Sequence, residues 1–330
     1  MHRITSNKLL KLMWEKFLLL VFILVFIQIF NVFFGTNSIY IAAFSLTGVL
    51  MFSKINLQLP KSIAIFVFLI LFPLCVILPY IINSCHILWL NLTIVLISIL
   101  TILFFLSPTL KYDSYIPFLF LYAINLNTQS NMSFHSMIYA SLFGGLTIAT
   151  TYLISHRAAK DNNDLNVLLQ HFKESLPFIV KISIAILIAY FIGYELNYIK
   201  TSWIILTVIA LTEVNIEYTY KKLYQRFFGT LVGLGIYLIF LFEISNKYPS
   251  SIPIILILIS YAYTFVNQNY FVKIIFVTFN AINAAVMNTD LNLNHILFSR
   301  VEFVFIGSII AISLGLIFHF IEKIQYKYFK

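Results

Sequence analysis

Long apolar runs separated by short polar segments follow one another along almost the whole chain. Twelve runs can be distinguished, at residues 17–34, 39–53, 62–82, 87–107, 115–126, 136–155, 178–194, 201–216, 227–246, 252–267, 271–288 and 301–320. A helix that crosses a bilayer needs about 20 predominantly apolar residues, and most of the runs approach that length. The pattern predicts an all-α polytopic membrane protein with about twelve transmembrane helices.

The polar stretch at 155–175 divides these runs into two sets of six. We therefore expect a first six-helix membrane half at 1–155, a cytoplasmic linker at 156–177, a second half at 178–322 and a cytoplasmic tail at 323–330. The linker has the apolar spacing of one short amphipathic helix.

The two halves align weakly, at offsets between 155 and 163 residues, which indicates a duplicated six-span unit. The aligned pairs are Tyr115 with Tyr270, Asn125 with Asn280, Gly145 with Gly307, and Ala149 with Ala311. Within the second half, an arginine stands seven residues before a glycine twice, at Arg226 and at Arg300. This spacing suggests that each half is an inverted three-helix repeat, an arrangement that places substrate sites near the bilayer midplane, on short or broken helices.

Composition and charge agree with a membrane location. The chain is 61% hydrophobic and 10% charged, whereas soluble domains carry roughly 25% charged residues. With a cytoplasmic N-terminus, all but three of the 21 lysines and arginines fall on the cytoplasmic side, the exceptions being Lys200, Lys247 and Arg300. This bias predicts that both termini are cytoplasmic. The net charge of +9 then reflects topology and contact with the lipid bilayer, and no nucleic-acid partner is expected.

The two arginines are the strongest candidates for function. Arg226 and Arg300 each open an apolar run, on opposite sides of the membrane. Either could be a plain interfacial anchor, although Arg300 does not follow the positive-inside pattern. The alternative is that both attract an anionic substrate, because arginine can hold a carboxylate through two hydrogen bonds.

Amides and small residues within the runs have two interpretations each. Asn125, Asn280 and Asn283 either join helices by hydrogen bonds or contact a substrate. Small residues spaced four apart are typical of close helix packing, and they occur as Gly229 with Gly233, Gly145 with Ala149, and Gly307 with Ala311. We also include Trp203 and Thr207 in the predicted substrate path, although a tryptophan near a membrane interface is common.

Enzyme chemistry has little support in this sequence. Cys75 and Cys85 do not form a metal-binding spacing, and there is no glycine-rich nucleotide loop after a strand. We expect no catalytic residues, no metal and no cofactor.

The segment "SWIILTVIALTEVNIEYTYKKLYQRFFGTLVG" resembles the W-x3-T…T…R-x2-GT-x2-G signature of the fusaric acid resistance (FUSC) family of aromatic acid exporters. The residues that carry the resemblance are Trp203, Thr207, Thr219, Arg226, Gly229, Thr230 and Gly233. The later "SRVEFVFIGSIIA" is similar to the second R-x6-G segment of that family. The resemblance covers about residues 178–320, and the first half shares only the pattern of spans. The chain is similar to a compact member that lacks the cytoplasmic domains of many relatives.

The resemblance implies an efflux transporter of the bacterial inner membrane for small organic anions, aromatic acids or other carboxylates. It also implies a periplasmic adaptor of the HlyD type as partner. The main alternative is a passive organic-anion channel, because the membrane domain of plant aluminium-activated malate channels looks related. A role in assembly is a third interpretation, and a homo-oligomer remains open.

Overall fold

The apolar runs of the sequence form helices in the computed structural model of the chain. The structure describes residues 6–85, 87–126, 132–157, 165–196, 201–245, 247–249, 252–253, 255–257, 259–260, 269–288 and 292–328. No strand occurs in these ranges, so the described part of the chain is all-α, as predicted.

The first six helices cover the predicted first half. They are α1 (Ser6–Phe34), α2 (Ile39–Phe52), α3 (Lys61–Ser84), α4 (Leu88–Phe105), α5 (Ile116–Asn125) and α6 (Phe134–Ser155). Short 3₁₀ turns at Thr36–Ser38 and Ser107–Tyr112 lead into α2 and α5.

The remaining helices cover the second half. They are α7 (Leu165–Glu195), α8 (Ser202–Leu211), α9 (Ile216–Ile239), the helical residues 252–253, 255–257 and 259–260 (here called α10), α11 (Tyr270–Asn288) and α12 (Leu293–Tyr328). A π turn at Phe240–Ser245 continues α9. The last part of the predicted run 252–267, residues 261–267, and linker residues 158–164 lie outside the described residues.

Six of the described helices are long and apolar enough to cross a membrane. They are Lys61–Ser84, Leu88–Phe105, Phe134–Ser155, Leu176–Glu195, Ile216–Ser245 and Leu293–Ile321. Five further apolar helices are shorter, at Val21–Phe34, Thr36–Phe52, Ile116–Asn125, Ser202–Leu211 and Tyr270–Val286. The chain is therefore a multi-pass helical membrane protein.

Several helices extend well beyond their apolar runs. The amphipathic stretch of the predicted linker is the first part of α7 and is continuous with the apolar part, since Pro177 lies inside that helix without ending it. Helix α9 begins at Ile216 and α12 at Leu293, although their apolar runs begin at 227 and 301. Polar and charged residues in these first turns lower the local hydropathy, although helix formation does not require an apolar face all round.

The same pairs of helices pack together in each half. Helix α3 packs on α5 and α6, and α9 packs on α11 and α12. Helix α2 packs on α1 and α6, while α8 packs on α7 and α12. The two halves meet where α5 contacts α8 and where α4 contacts α7.

Glycines allow two of these contacts, α3–α6 and α9–α11, to be close. A Cβ on Gly145 would lie 2.7 Å from the Phe68 carbonyl oxygen on α3, and a Cβ on Gly233 would lie 2.7 Å from the Ile275 carbonyl oxygen on α11. A Cβ on Gly229 would lie 3.0 Å from the Ile274 side chain of the same helix α11. The alanines Ala149 and Ala311 are buried in α6 and α12.

Candidate functional site

The short helix α8 lies at the centre of the second half. Its ten residues are apolar on nearly every face, and all but Leu206 are buried. At 1.5 Å per residue α8 is about 15 Å long, which is half the thickness of the hydrocarbon core. It contacts α5, α7, α9 and α12, so side chains from several helices converge on it.

Arg300 reaches α8 from α12. Its guanidinium carbon lies 4.9 Å from the centre of the Trp203 ring, in the geometry of a cation–π contact. The Phe303 ring packs edge-on against the same tryptophan, with 6.3 Å between ring centres. Only 2% of Arg300 is exposed, so the cation is held on an aromatic surface inside the protein.

Arg226 reaches the same helix from α9, one helical turn further along. Its Nη2 donates to Thr207 Oγ1 at 3.3 Å, and its Nη1 donates to the Tyr270 hydroxyl at 3.4 Å. The Thr207 hydroxyl in turn donates to the Trp203 carbonyl oxygen at 2.8 Å. Arg226 is 4% exposed, and Thr207 is completely buried.

Neither arginine has a carboxylate partner among the described residues. The Nε atoms of both Arg226 and Arg300 are buried without a hydrogen-bond partner. The two guanidinium groups are also close enough to repel each other. A buried cation without a counter-ion is costly, so this pair of groups is suited to receive an anion.

The location of the arginines differs from the sequence expectation. Arg226 lies ten residues into α9 and Arg300 seven residues into α12, because both helices begin before their apolar runs. At 1.5 Å per residue these positions are about 15 and 10 Å from the helix starts. Both guanidinium groups contact the same short helix α8, whereas the sequence placed each arginine at the start of an apolar run.

The predicted asparagines contact other parts of the protein. Asn125 Oδ1 accepts a hydrogen bond from the Tyr40 hydroxyl at 3.0 Å, and Asn125 Nδ2 donates to the Leu121 carbonyl oxygen at 2.8 Å. Asn280 Oδ1 accepts from Ser260 Oγ at 2.7 Å, which joins α11 to α10. Asn283 is buried on α11. The described bonds of Asn125 and Asn280 are those expected of amides that join helices.

A cluster of charges lies at the end of α8 that leads into α9. Lys222 on α9 pairs closely with the Glu213 carboxylate and lies 3.7 Å from Asp113 Oδ2, which belongs to the first half. Lys181 on α7 donates to the Glu213 and Val214 carbonyl oxygens at the C-terminal end of α8. Burial raises the pKa of the Glu213 carboxyl, and the positive charge of Lys222 acts against this shift.

Sequence reasoning missed Asp113 and Tyr270 as partners of Lys222. Tyr270 contacts two cations, since its ring lies 5.5 Å from Lys222 Nζ and its hydroxyl accepts from Arg226. Asp113 is distant in sequence and follows a 3₁₀ turn in a left-handed conformation, with φ of 58°. No local spacing links either residue to α9, so the sequence carried no signal for these contacts.

In this multi-pass helical membrane protein, two buried guanidinium groups from α9 and α12 thus contact the short helix α8. Residues 182–314 match the model of a family described as fusaric acid resistance protein-like. This part of the chain is similar to that family of membrane transport proteins, in agreement with the resemblance seen in the signature. The match includes α8, Arg226 and Arg300. No curated protein and no solved structure matches the chain.

Proposed function

We propose that the chain exports small organic anions, aromatic acids or other carboxylates, across the bacterial inner membrane. The observation that carries the proposal is the pair of buried guanidinium groups that contact α8 from α9 and α12 and have no carboxylate partner among the described residues. A carboxylate between Arg226 and Arg300 would supply the missing counter-charge and accept charge-assisted hydrogen bonds. The ring of Trp203 offers an adjacent flat surface for an aromatic substrate.

The proposed topology has twelve membrane segments in two six-helix halves with cytoplasmic termini. The matching helix pairs of the two halves support duplication, and the lysine and arginine distribution supports the orientation. An inverted three-helix repeat within each half would put α8 near the bilayer midplane. A periplasmic adaptor of the HlyD type and a homo-oligomeric state belong to the same proposal.

Substitution of Arg300 tests this function. Each lost charge-assisted contact costs about 1.5–3 kcal/mol, which corresponds to a decrease of about tenfold or more in anion flux. Arg300→Lys keeps the charge but loses the planar fork, so we expect reduced benzoate flux in proteoliposomes, and a larger reduction for Arg300→Ala. Flux of a neutral aromatic compound of similar size should change less.

Lys247→Ala is the matched control, because Lys247 is another predicted outer-side cation and its side chain is 59% exposed. Membrane abundance and thermal stability of each variant separate transport from folding. Normal benzoate flux in both Arg300 variants would contradict the proposal, as would an equal loss for the neutral compound. Dependence of the flux on an imposed proton gradient distinguishes a coupled exporter from a passive channel.

A further inference from the structure

The charge cluster beside α8 contains Lys222, a lysine that has no role in the proposed arginine site. Lys222 precedes Arg226 by four residues on α9, so the two side chains share one helix face about 6 Å apart along the axis. The same Tyr270 side chain contacts both, through its ring for Lys222 and through its hydroxyl for Arg226. Lys222 is therefore the next cation along the face of α9 that carries the arginine site.

Two carboxylates surround Lys222 unequally. The Glu213 carboxylate is in close contact with Nζ, and its side chain is 19% exposed. Asp113 Oδ2 is 3.7 Å away, and the Asp113 side chain is 41% exposed. An exposed ion pair at this distance contributes about 0–1 kcal/mol, so a carboxylate from solution can replace Asp113 at little cost. Glu213 is the more firmly held of the two.

Other charged and titratable groups near the cluster leave it with a positive balance. Those that act on Glu213, Asp113 or Lys222 are Lys181 from α7, Lys273 and Tyr270 from α11, and Tyr115 at the start of α5. Three lysines face two carboxylates, so the cluster holds one more cation than anion when every one of these groups has its usual charge. The excess charge favours an incoming anion.

We propose that Lys222 is a second anion-binding position, which takes an organic carboxylate on its way to the arginine pair. Asp113 occupies this position when no substrate is bound and acts as an internal competitor. The inference rests on the proposed function, because the substrate is the same carboxylate. Asp113 belongs to the first half and Lys222 to the second, so arrival of the substrate also breaks a contact between the halves.

Binding of benzoate to the purified full-length protein in nanodiscs tests the competition. Removal of the Asp113 charge should tighten binding, so Asp113→Asn is expected to lower the apparent Kd by about two- to fivefold. Lys222→Gln should weaken binding, and Asp113→Asn should have no effect in the Lys222→Gln background. Glu217→Gln is the matched control, since Glu217 is an exposed carboxylate in the first turn of α9.

The outcomes separate this inference from the proposed function. Unchanged or weaker binding in Asp113→Asn would overturn the inference, as would a tightening that persists without Lys222. If Arg300→Ala weakens benzoate binding while the Asp113 and Lys222 variants match the wild type, only the inference fails. If wild-type protein binds no benzoate, both fail. A decrease in thermal stability of Asp113→Asn with unchanged Kd would assign Asp113 a structural role and also overturn the inference.

Discussion

Gly307 determines how closely α12 approaches α8. A Cβ at this position would lie 2.8 Å from both Cβ and Cγ2 of Thr207, and 3.0 Å from the Ile204 carbonyl oxygen. Real side chains do not approach so closely, so any larger residue forces the two helices apart. Since Arg300 lies on the same helix two turns earlier, this contact also fixes the guanidinium group over Trp203.

We therefore expect Gly307→Ala to destabilise the protein. Forcing a methyl group into a packed helix contact typically costs about 1–3 kcal/mol, which would lower the thermal midpoint in detergent by several degrees. Gly235→Ala is the control, because a Cβ there has no neighbour within 4 Å and alanine favours the helix. Equal midpoints for the two variants would show that the α8–α12 contact adapts.

At the residue scale, sequence reasoning named residues that contact one helix, but it did not identify their partners. Arg226, Trp203 and Thr207 stand in one signature, and all three lie at the site. The contact of Arg300 with Trp203 joins residues 97 positions apart, and no periodicity in a single sequence reports such a distance. Trp203 is 7% exposed, so its ring lies inside the protein.

At the scale of single helices, Tyr40 and Asn125 join the two short helices α2 and α5 of the first half. The Tyr40 hydroxyl is the described donor to Asn125 Oδ1, and Asn125 is 2% exposed. Interhelical hydrogen bonds in membrane proteins contribute about 0.6 kcal/mol on average, and a buried acceptor left without a donor costs about 1–3 kcal/mol.

Tyr40→Phe should accordingly lower the free energy of unfolding in mixed micelles by about 1 kcal/mol. Tyr139→Phe serves for comparison, because Tyr139 is 61% exposed and its loss of a hydroxyl should be neutral. If Tyr40→Phe leaves stability unchanged but reduces benzoate flux, then Asn125 lies on the substrate path instead of serving as a packing residue.

Helix existence could be predicted from sequence far better than helix bounds. Every apolar run corresponds to helical residues, because a bilayer leaves the backbone few other ways to satisfy its hydrogen bonds. The starts of α9 and α12 were missed by 11 and 8 residues, since polar and charged residues interrupt the apolar pattern of their first turns. As a result, the sequence placed both arginines at the ends of helices, whereas they lie inside α9 and α12.

For the whole molecule, the lysine and arginine distribution predicts that Cys85 faces the periplasm. Cys85 follows α3 and is partly exposed, whereas Cys75 is buried inside α3. In intact cells, a Cys75→Ser variant should react with a membrane-impermeant maleimide at Cys85 without lysis. Reaction only after lysis would contradict this orientation, and every loop would then be assigned to the opposite side of the membrane.

The membrane class of the whole molecule follows from composition and apolar runs alone. The number of crossings does not, because six described helices are long enough and five are shorter. The contact between the halves through α5 and α8 could not be predicted from the sequence either, since both helices are mostly apolar and nothing in their sequences names the partner helix.

The ten-residue length of α5 and α8 has a consequence for how the protein is made. A helix of about 15 Å cannot seal the backbone of its connecting loops from lipid, so neither helix is stable as a lone segment leaving the insertion machinery. Each has to enter the bilayer together with longer neighbours that cover its ends. The ribosome synthesises α5 well before its partner α8. The side of α5 that contacts α8 therefore stays uncovered until the second half has been synthesised. Packing of the first half is therefore complete only when α8 of the second half covers the side of α5 that faces it.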